Sequence, residues 1–144
     1  MKALVVAHPD DEILWFNPLE FDRIVICFSD VPGKPHMIKR RERALEEHPL
    51  RYKIHCMNLM ESEDSTEKSS LEKVACRLKW LSEQEKWQTV TTHAATGEYG
   101  HRDHKLVFTA CMVGLDIPVN GVNPSMYREI RECYYRNACW TWDT

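Results

Sequence analysis

Hydrophobic and polar positions along the chain switch between two spacings. Lys2 to Ala7 (KALVVA) is an apolar run that stops at His8-Pro9, the pattern of a strand buried on both faces of a parallel sheet. Arg23 to Phe28 repeats it as a second strand. Met37 to Glu47 reads as a helix that Pro49 cuts off, and Tyr52 to Leu59 alternates as a third strand. Glu61 to Ser70 is polar and predicts a loop. Ser69 and Glu72 have the spacing of a capping box, opening a helix whose apolar stripe is Leu71, Val74, Leu78 and Leu81. Thr89 to Thr92 is β-branched and predicts a fourth strand. Gly97 and Gly100 mark a turn, and His101 to Val113 reads as a buried helix. Strands alternating with helices predict an α/β fold with a mainly parallel sheet. No linker or repeat divides the chain, so residues 1–144 are expected to form a single domain. The segment from Met126 to Trp142, rich in Tyr, Arg and Trp, fits neither spacing.

Composition narrows the class. With 144 residues, 43% hydrophobic and 28% charged, the chain can bury a core, which excludes disordered and fibrous proteins. No apolar run approaches the ~20 residues that span a bilayer, and the apolar start is too short for a signal peptide. A net charge of -3 provides no general attraction for nucleic acid or acidic lipid, so neither is expected as a partner. The basic run Lys39-Arg40-Arg41-Glu42-Arg43 is interrupted by Glu and reads as a solvated helix face. Six cysteines form no C-x-x-C pair, and Cys27 and Cys111 lie in apolar runs as small hydrophobes. Reduced thiols and a cytoplasmic location are expected.

Two clusters carry the candidate chemistry. Ala7-His8-Pro9-Asp10-Asp11-Glu12 follows the first predicted strand, and Gly97-Glu98-Tyr99-Gly100-His101-Arg102-Asp103-His104 follows the fourth. In an open α/β sheet, ligands bind outside the carboxyl ends of the strands, so distant clusters can meet there. A catalytic zinc takes three His or carboxylate ligands and leaves a position for water. His8, Asp11 and His104 supply such a set, with Asp10 left beside it to take a proton from the water. His101 and Asp103 form an imidazole–carboxylate pair next to His104. Each cluster also has a plain structural reading. Acidic residues after Pro suit a helix N-terminus, and two His three apart on a helix often arise by chance. His36 and His48 flank a charged helix and are expected to be exposed. His55 lies mid-strand, and His93 ends the fourth strand near the clusters.

The motifs AHPDDE at 7–12 and GEYGHRDH at 97–104 resemble those of the PIG-L/LmbE-like N-acetylglucosaminyl deacetylases. The resemblance extends from Met1 to about Val113 and implies a short version of a Rossmann-like three-layer sandwich. It implies that His8, Asp11 and His104 bind one divalent metal, usually zinc, with Fe(II) suited to the same ligands. It further implies Asp10 as general base, His101 as second catalytic histidine, Asp103 orienting His101, and Tyr99 donating to the oxyanion. The substrate implied is a small-molecule amino-sugar conjugate carrying an N-acetyl group. One stretch departs from the family. Ile13-Leu14-Trp15-Phe16-Asn17-Pro18 stands where a small, Gly-rich stretch is usual, and predicts a short or reshaped first helix.

Other readings use the same residues. Asp and His around metals also serve phosphoester hydrolysis, often with two ions. A non-catalytic sugar- or metal-binding module could use the same fold. Nucleotide binding lacks both G-x-G-x-x-G and a P-loop. Tyr134, Tyr135, Trp140 and Trp142 suggest either core or a partner surface, and the sequence does not fix the oligomeric state.

Overall fold

The sheet is built on the strand buried first in the chain. The computed structural model describes residues 1–30, 33–60 and 67–121. Among these residues, five strands, β1 (Lys2–Val6), β2 (Arg23–Asp30), β3 (Ile54–Met60), β4 (Thr89–Thr92) and β5 (Val119–Gly121), lie in the order β3-β2-β1-β4-β5. Every pairing is parallel. The helices are α1 (Asp11–Leu14), α2 (Pro35–Glu47), α3 (Glu67–Glu85), α4 (Gly97–Gly100) and α5 (Arg102–Gly114).

Alternate residues of β1 feed two cores, as expected of a strand covered on both faces. Ala3, Val5 and Ala7 join Val74, Leu78 and Leu81 of α3 and Leu106, Val107 and Ala110 of α5. Leu4 and Val6 join Phe16, Phe21, Ile24, Ile26 and Leu50 on the opposite face. The predicted stripe of α3 is therefore the surface that meets the sheet. Cys27 and Cys111 are buried free thiols, as their apolar settings imply.

The chain turns back on itself across β1. Its first crossover leads to β2 on one side, whereas β4 lies on the other, so the crevice between β1 and β4 is the switch point of the sheet. The register Val5↔Thr92 lets both strands end together, and the two motif-bearing loops leave the sheet side by side. The first helix is a single turn, as the bulky stretch after Glu12 predicts, and a 3-10 turn at Pro18–Glu20 follows it.

Several expectations need correction. Helix α3 is already running at Glu67, so Ser69 and Glu72 lie within it and do not cap its start. A 3-10 turn at Arg51–Lys53 takes the first residues assigned to the third strand. Arg41 is buried, because its guanidinium turns inward and donates to the Ser29 carbonyl at 3.0 Å. His48 is only 2% exposed. Strand β5, with Asn and Gly among its three residues, has no sequence signal of its own. The aromatic segment from Met126 to Trp142 lies outside the described residues. No helix among the described residues is long and apolar enough to cross a membrane.

Helix α5 is held against α3 by a close approach at Gly114. A Cβ there would lie 2.7 Å from the Ala75 carbonyl oxygen and 3.1 Å from its Cα. Both neighbours are backbone and cannot swing aside. We expect Gly114→Ala to cost about 1–3 kcal/mol in urea unfolding, with the m-value unchanged.

Candidate metal centre

The first motif leaves β1 through a strained turn. Asp10 has φ 104°, a conformation that costs a non-glycine residue on the order of 1–3 kcal/mol. Its carbonyl accepts from the Ile13 and Leu14 N–H groups, starting α1, and its own N–H donates to Glu12 Oε2 at 3.0 Å. The turn places Asp11 beneath His8, and the His8 N–H donates to Asp11 Oδ2 at 2.8 Å. Trp15 Nε1 donates to the other oxygen, Oδ1, at 3.0 Å. The bulky residue that departs from the resembled family therefore fixes one side of a candidate ligand.

The second motif leaves β4 through Glu98, also at positive φ (62°). Its carboxylate accepts from the Ala94 N–H at 3.0 Å, lies 2.6 Å from His93 Nδ1 and accepts from His104 Nδ1 at 3.1 Å. Helix α5 begins with His101 as its N-cap, the Asp103 N–H donating to His101 Nδ1 at 3.0 Å. Asp103 and His104 then point inward from the first turn, both buried.

The loops converge at Asp11. Its Oδ2 lies 3.5 Å from His8 Nδ1, 3.3 Å from His104 Nε2 and 3.6 Å from His93 Nε2. The His8 and His104 rings are 5.5 Å apart, and His93 stacks on His104 at 3.9 Å. Tyr99 stands at the rim, 69% exposed, its ring 5.8 Å from His101 and 6.0 Å from Trp15. The structure thus brings His8, Asp11, His101, Asp103 and His104 together, with Asp10 in the adjoining turn and Tyr99 above them. One role changes. The Asp103 carboxylate accepts from His8 Nε2 at 2.8 Å, and its link to His101 runs through the backbone N–H.

Assigning each imidazole its hydrogen bonds identifies the nitrogens left to hold a cation. Among the described residues, two trios of donor atoms lie within 4.8 Å of one another: His8, His101 and His104, and Asp11, His93 and His104. Neither is the trio His8, Asp11 and His104. His93 Nε2, however, already accepts from the Ala7 N–H at 2.9 Å, and His101 Nδ1 accepts from Asp103. His8 Nε2 and His104 Nδ1 donate to carboxylates, which directs His8 Nδ1 and His104 Nε2 toward Asp11 Oδ2. Among the described residues, His104 Nε2 is buried with no hydrogen-bond partner, as is His93 Nδ1, which faces the Glu98 carboxylate instead of Asp11. An orphaned imidazole nitrogen beside a buried carboxylate fits a divalent cation, and the carboxylate behind each imidazole is the usual support for a ligand.

Electrostatics point the same way. Burial disfavours charge on His8, but Asp103 and Asp11 outweigh it and raise its pKa to about 10. Burial likewise opposes charge on His104, and Asp11 and Glu98 raise it to about 9. Asp11 itself is held well below the usual carboxylate range because His104 and His8 overcome its burial. Glu98 falls to about 2 as its bonds to His104 and His93 overcome the same effect. Burial, with His8 and His104 nearby, lowers the pKa of His101. Asp10 rises to about 9 through burial and the Asp11 and Glu12 carboxylates.

Sequence reasoning missed the roles of Glu98, Trp15 and His93. Glu98 lies inside the second motif, where an acidic residue between two glycines is its only signal. His93 is fully buried and belongs to the site as a brace.

No protein-family profile and no curated protein matches the chain. Among solved structures, it is similar to the zinc-inhibited form of teicoplanin deacetylase Orf2, at 15% identity and a TM-score of 0.60, covering 83% of this chain and 66% of that one. A deacetylase–bog complex from the teicoplanin biosynthesis pathway aligns at 15% identity and a TM-score of 0.60, covering 90% and 71%. A deacetylase–teicoplanin complex from that pathway aligns at 14% and 0.57, covering 83% and 68%. The chain spans about two-thirds of the first of these proteins (66%), and the likeness is one of fold.

Both candidate ligand imidazoles have pKa values above neutral, at about 10 and about 9. A metal binds the neutral ring, so uptake at pH 7 displaces protons and affinity falls as pH falls. Titration calorimetry with zinc in buffers of different ionisation enthalpy should show net proton release that shrinks as pH rises through 9–10. Uptake without proton release would remove these imidazoles from the ligand set.

Proposed function

We propose that the chain is a metal-dependent deacetylase, using zinc, that hydrolyses the N-acetyl group of an N-acetylglucosamine-type amino sugar or conjugate. The observation that carries the reading is the pair of imidazole nitrogens, His8 Nδ1 and His104 Nε2, facing Asp11 Oδ2 beside Asp10. The same residues carry the resemblance to the PIG-L/LmbE-like family, and the fold neighbours named as deacetylases support the reaction class.

The ligand set would be His8, Asp11 and His104. Trp15 donates to Asp11 Oδ1, which leaves Oδ2 as the oxygen directed at the ion. When bound, a zinc ion supplies Lewis-acid polarisation of the acetyl carbonyl and lowers the pKa of water. Asp10 acts as general base toward the attacking water; its carboxyl is pushed up by burial and by the Asp11 and Glu12 carboxylates, and the positive charge of a bound cation would offset Asp11 and favour the ionised form that the role requires. His101 accepts at Nδ1, so its proton sits on Nε2, from which it donates toward the tetrahedral oxygen or the departing amine. Tyr99 overhangs the same space and supplies a second donor.

A cavity of about 460 Å³ lies on the far side of Pro9, lined by polar Ser29, Asp30, Arg41 and Asn58 and by apolar Ile38 and Leu45; it contains none of the proposed ligands, and only a substrate that extended past Pro9 would reach it. The ring-nitrogen assignments also favour one metal over two. His93 and His101 each spend a lone pair on a backbone N–H, which leaves little for the second ion of a phosphoesterase.

The test is Asp10→Asn, assayed on acetylated amino sugars by primary-amine detection, with a chelator control. Turnover should fall about 100-fold or more with zinc content unchanged. Near-normal turnover would take Asp10 out of the reaction, and phosphate release from phosphoesters would replace the deacetylase with its rival.

A further inference from the structure

The other end of the strained turn is tied into a buried network that the proposed chemistry does not use. Glu12 and His48 have side chains with no exposure, although they are 36 residues apart in sequence. The Leu50 N–H donates to His48 Nδ1 at 3.0 Å. That bond leaves the proton on Nε2, which donates to Glu12 Oε1 at 3.1 Å. The second oxygen, Glu12 Oε2, accepts the Asp10 N–H at 3.0 Å. One unbroken chain of hydrogen bonds therefore runs from the 3-10 turn after α2 to the backbone of Asp10.

We propose that His48 and Glu12 are positioning residues that lock the left-handed backbone of Asp10 and so aim its carboxylate at the reaction site. Asp10 sits at φ 104°, where an L-residue stays only if its surroundings hold it. The Asp10 N–H lies before the first turn of α1 and has no helical partner, so Glu12 Oε2 is its anchor. His48 holds the other oxygen, Oε1, and so sets how Oε2 meets the Asp10 N–H. His48 cannot serve with the opposite tautomer, because Leu50 already donates to Nδ1. The link also explains why a helix-terminal histidine beside a charged stretch is buried. The proposal rests on the reading of Asp10 as general base, and its backbone arm can be measured without turnover.

Two measurements on the full chain decide it. In the wild type, nitrogen chemical shifts of His48 should report a protonated Nε2 and a bare Nδ1. The reverse tautomer overturns the proposal whatever the variants do. In His48→Leu, the Asp10 amide should exchange with deuterium at least about tenfold faster than in wild type, while amides in β1 keep their protection. On acetylated amino sugars, kcat should fall about 10- to 100-fold, with KM and zinc affinity changed by less than about twofold. His48→Gln, whose amide can donate to Glu12 and accept from Leu50, should restore most of both. An unchanged Asp10 amide in a folded His48→Leu overturns the proposal, as does equal loss in the Gln variant. A wild type that releases no amine, with the exchange result as expected, removes the base assignment and leaves the backbone lock standing.

Discussion

Asp11 is the charge on which the site depends. Four imidazoles, His8, His93, His101 and His104, pack ring against ring at the carboxyl ends of β1 and β4, with centroid separations of 3.9–5.5 Å among neighbours. Imidazoles at that spacing repel once protonated, and burial further penalises their charge. Three buried or partly buried carboxylates offset this: Asp103 behind His8, Glu98 behind His93 and His104, and Asp11 among His8, His93 and His104. Asp103 and Glu98 each hold a ring from outside, whereas Asp11 lies between rings. Exchange of protons for a divalent cation at that point preserves the charge balance.

The sheet supplies the rigidity this arrangement needs. Parallel pairing of β1 with β4, ending near Val5 and Thr92, fixes where both loops start. Thr92 Oγ1 donates to the Val5 carbonyl at 2.8 Å and the Ala7 N–H donates to His93, so the strands stay joined beyond the ladder. Each loop then bends through one non-glycine residue at positive φ, Asp10 after β1 and Glu98 after β4. Both bends are held by a carboxylate accepting a backbone N–H, Glu12 for Asp10 and Glu98 itself for Ala94. Strain at such positions persists where the neighbours over-determine the geometry, and here they do.

How much of this the sequence revealed follows from the range of the interactions. The strands β1 and β2 could be read because a strand buried on both faces leaves an unbroken apolar run, and β4 because its residues are all β-branched. The motif residues could be read because metal ligands come from few residue types, and their meeting could be expected because each cluster follows a predicted strand at its carboxyl end. His48 and Arg41 were misread because their surroundings in sequence are charged, and their burial depends on partners 36 and 12 positions away. The role of Asp103 was assigned to the nearest histidine along the helix, whereas its carboxylate reaches His8 from 95 residues away. Strand β5 has three residues and exists because β4 offers it an open edge. Local pattern carried the frame, and long-range pairing of polar groups did not show in it.

The most direct test of the ligand geometry is a crystal structure of the zinc-loaded protein with anomalous data collected at the zinc edge. That geometry requires one anomalous peak per chain, at about 2.0–2.2 Å from His8 Nδ1, Asp11 Oδ2 and His104 Nε2. His93 and His101 should keep the backbone hydrogen bonds described above. A zinc ion held instead by His93, or one bound away from Asp11, would contradict it.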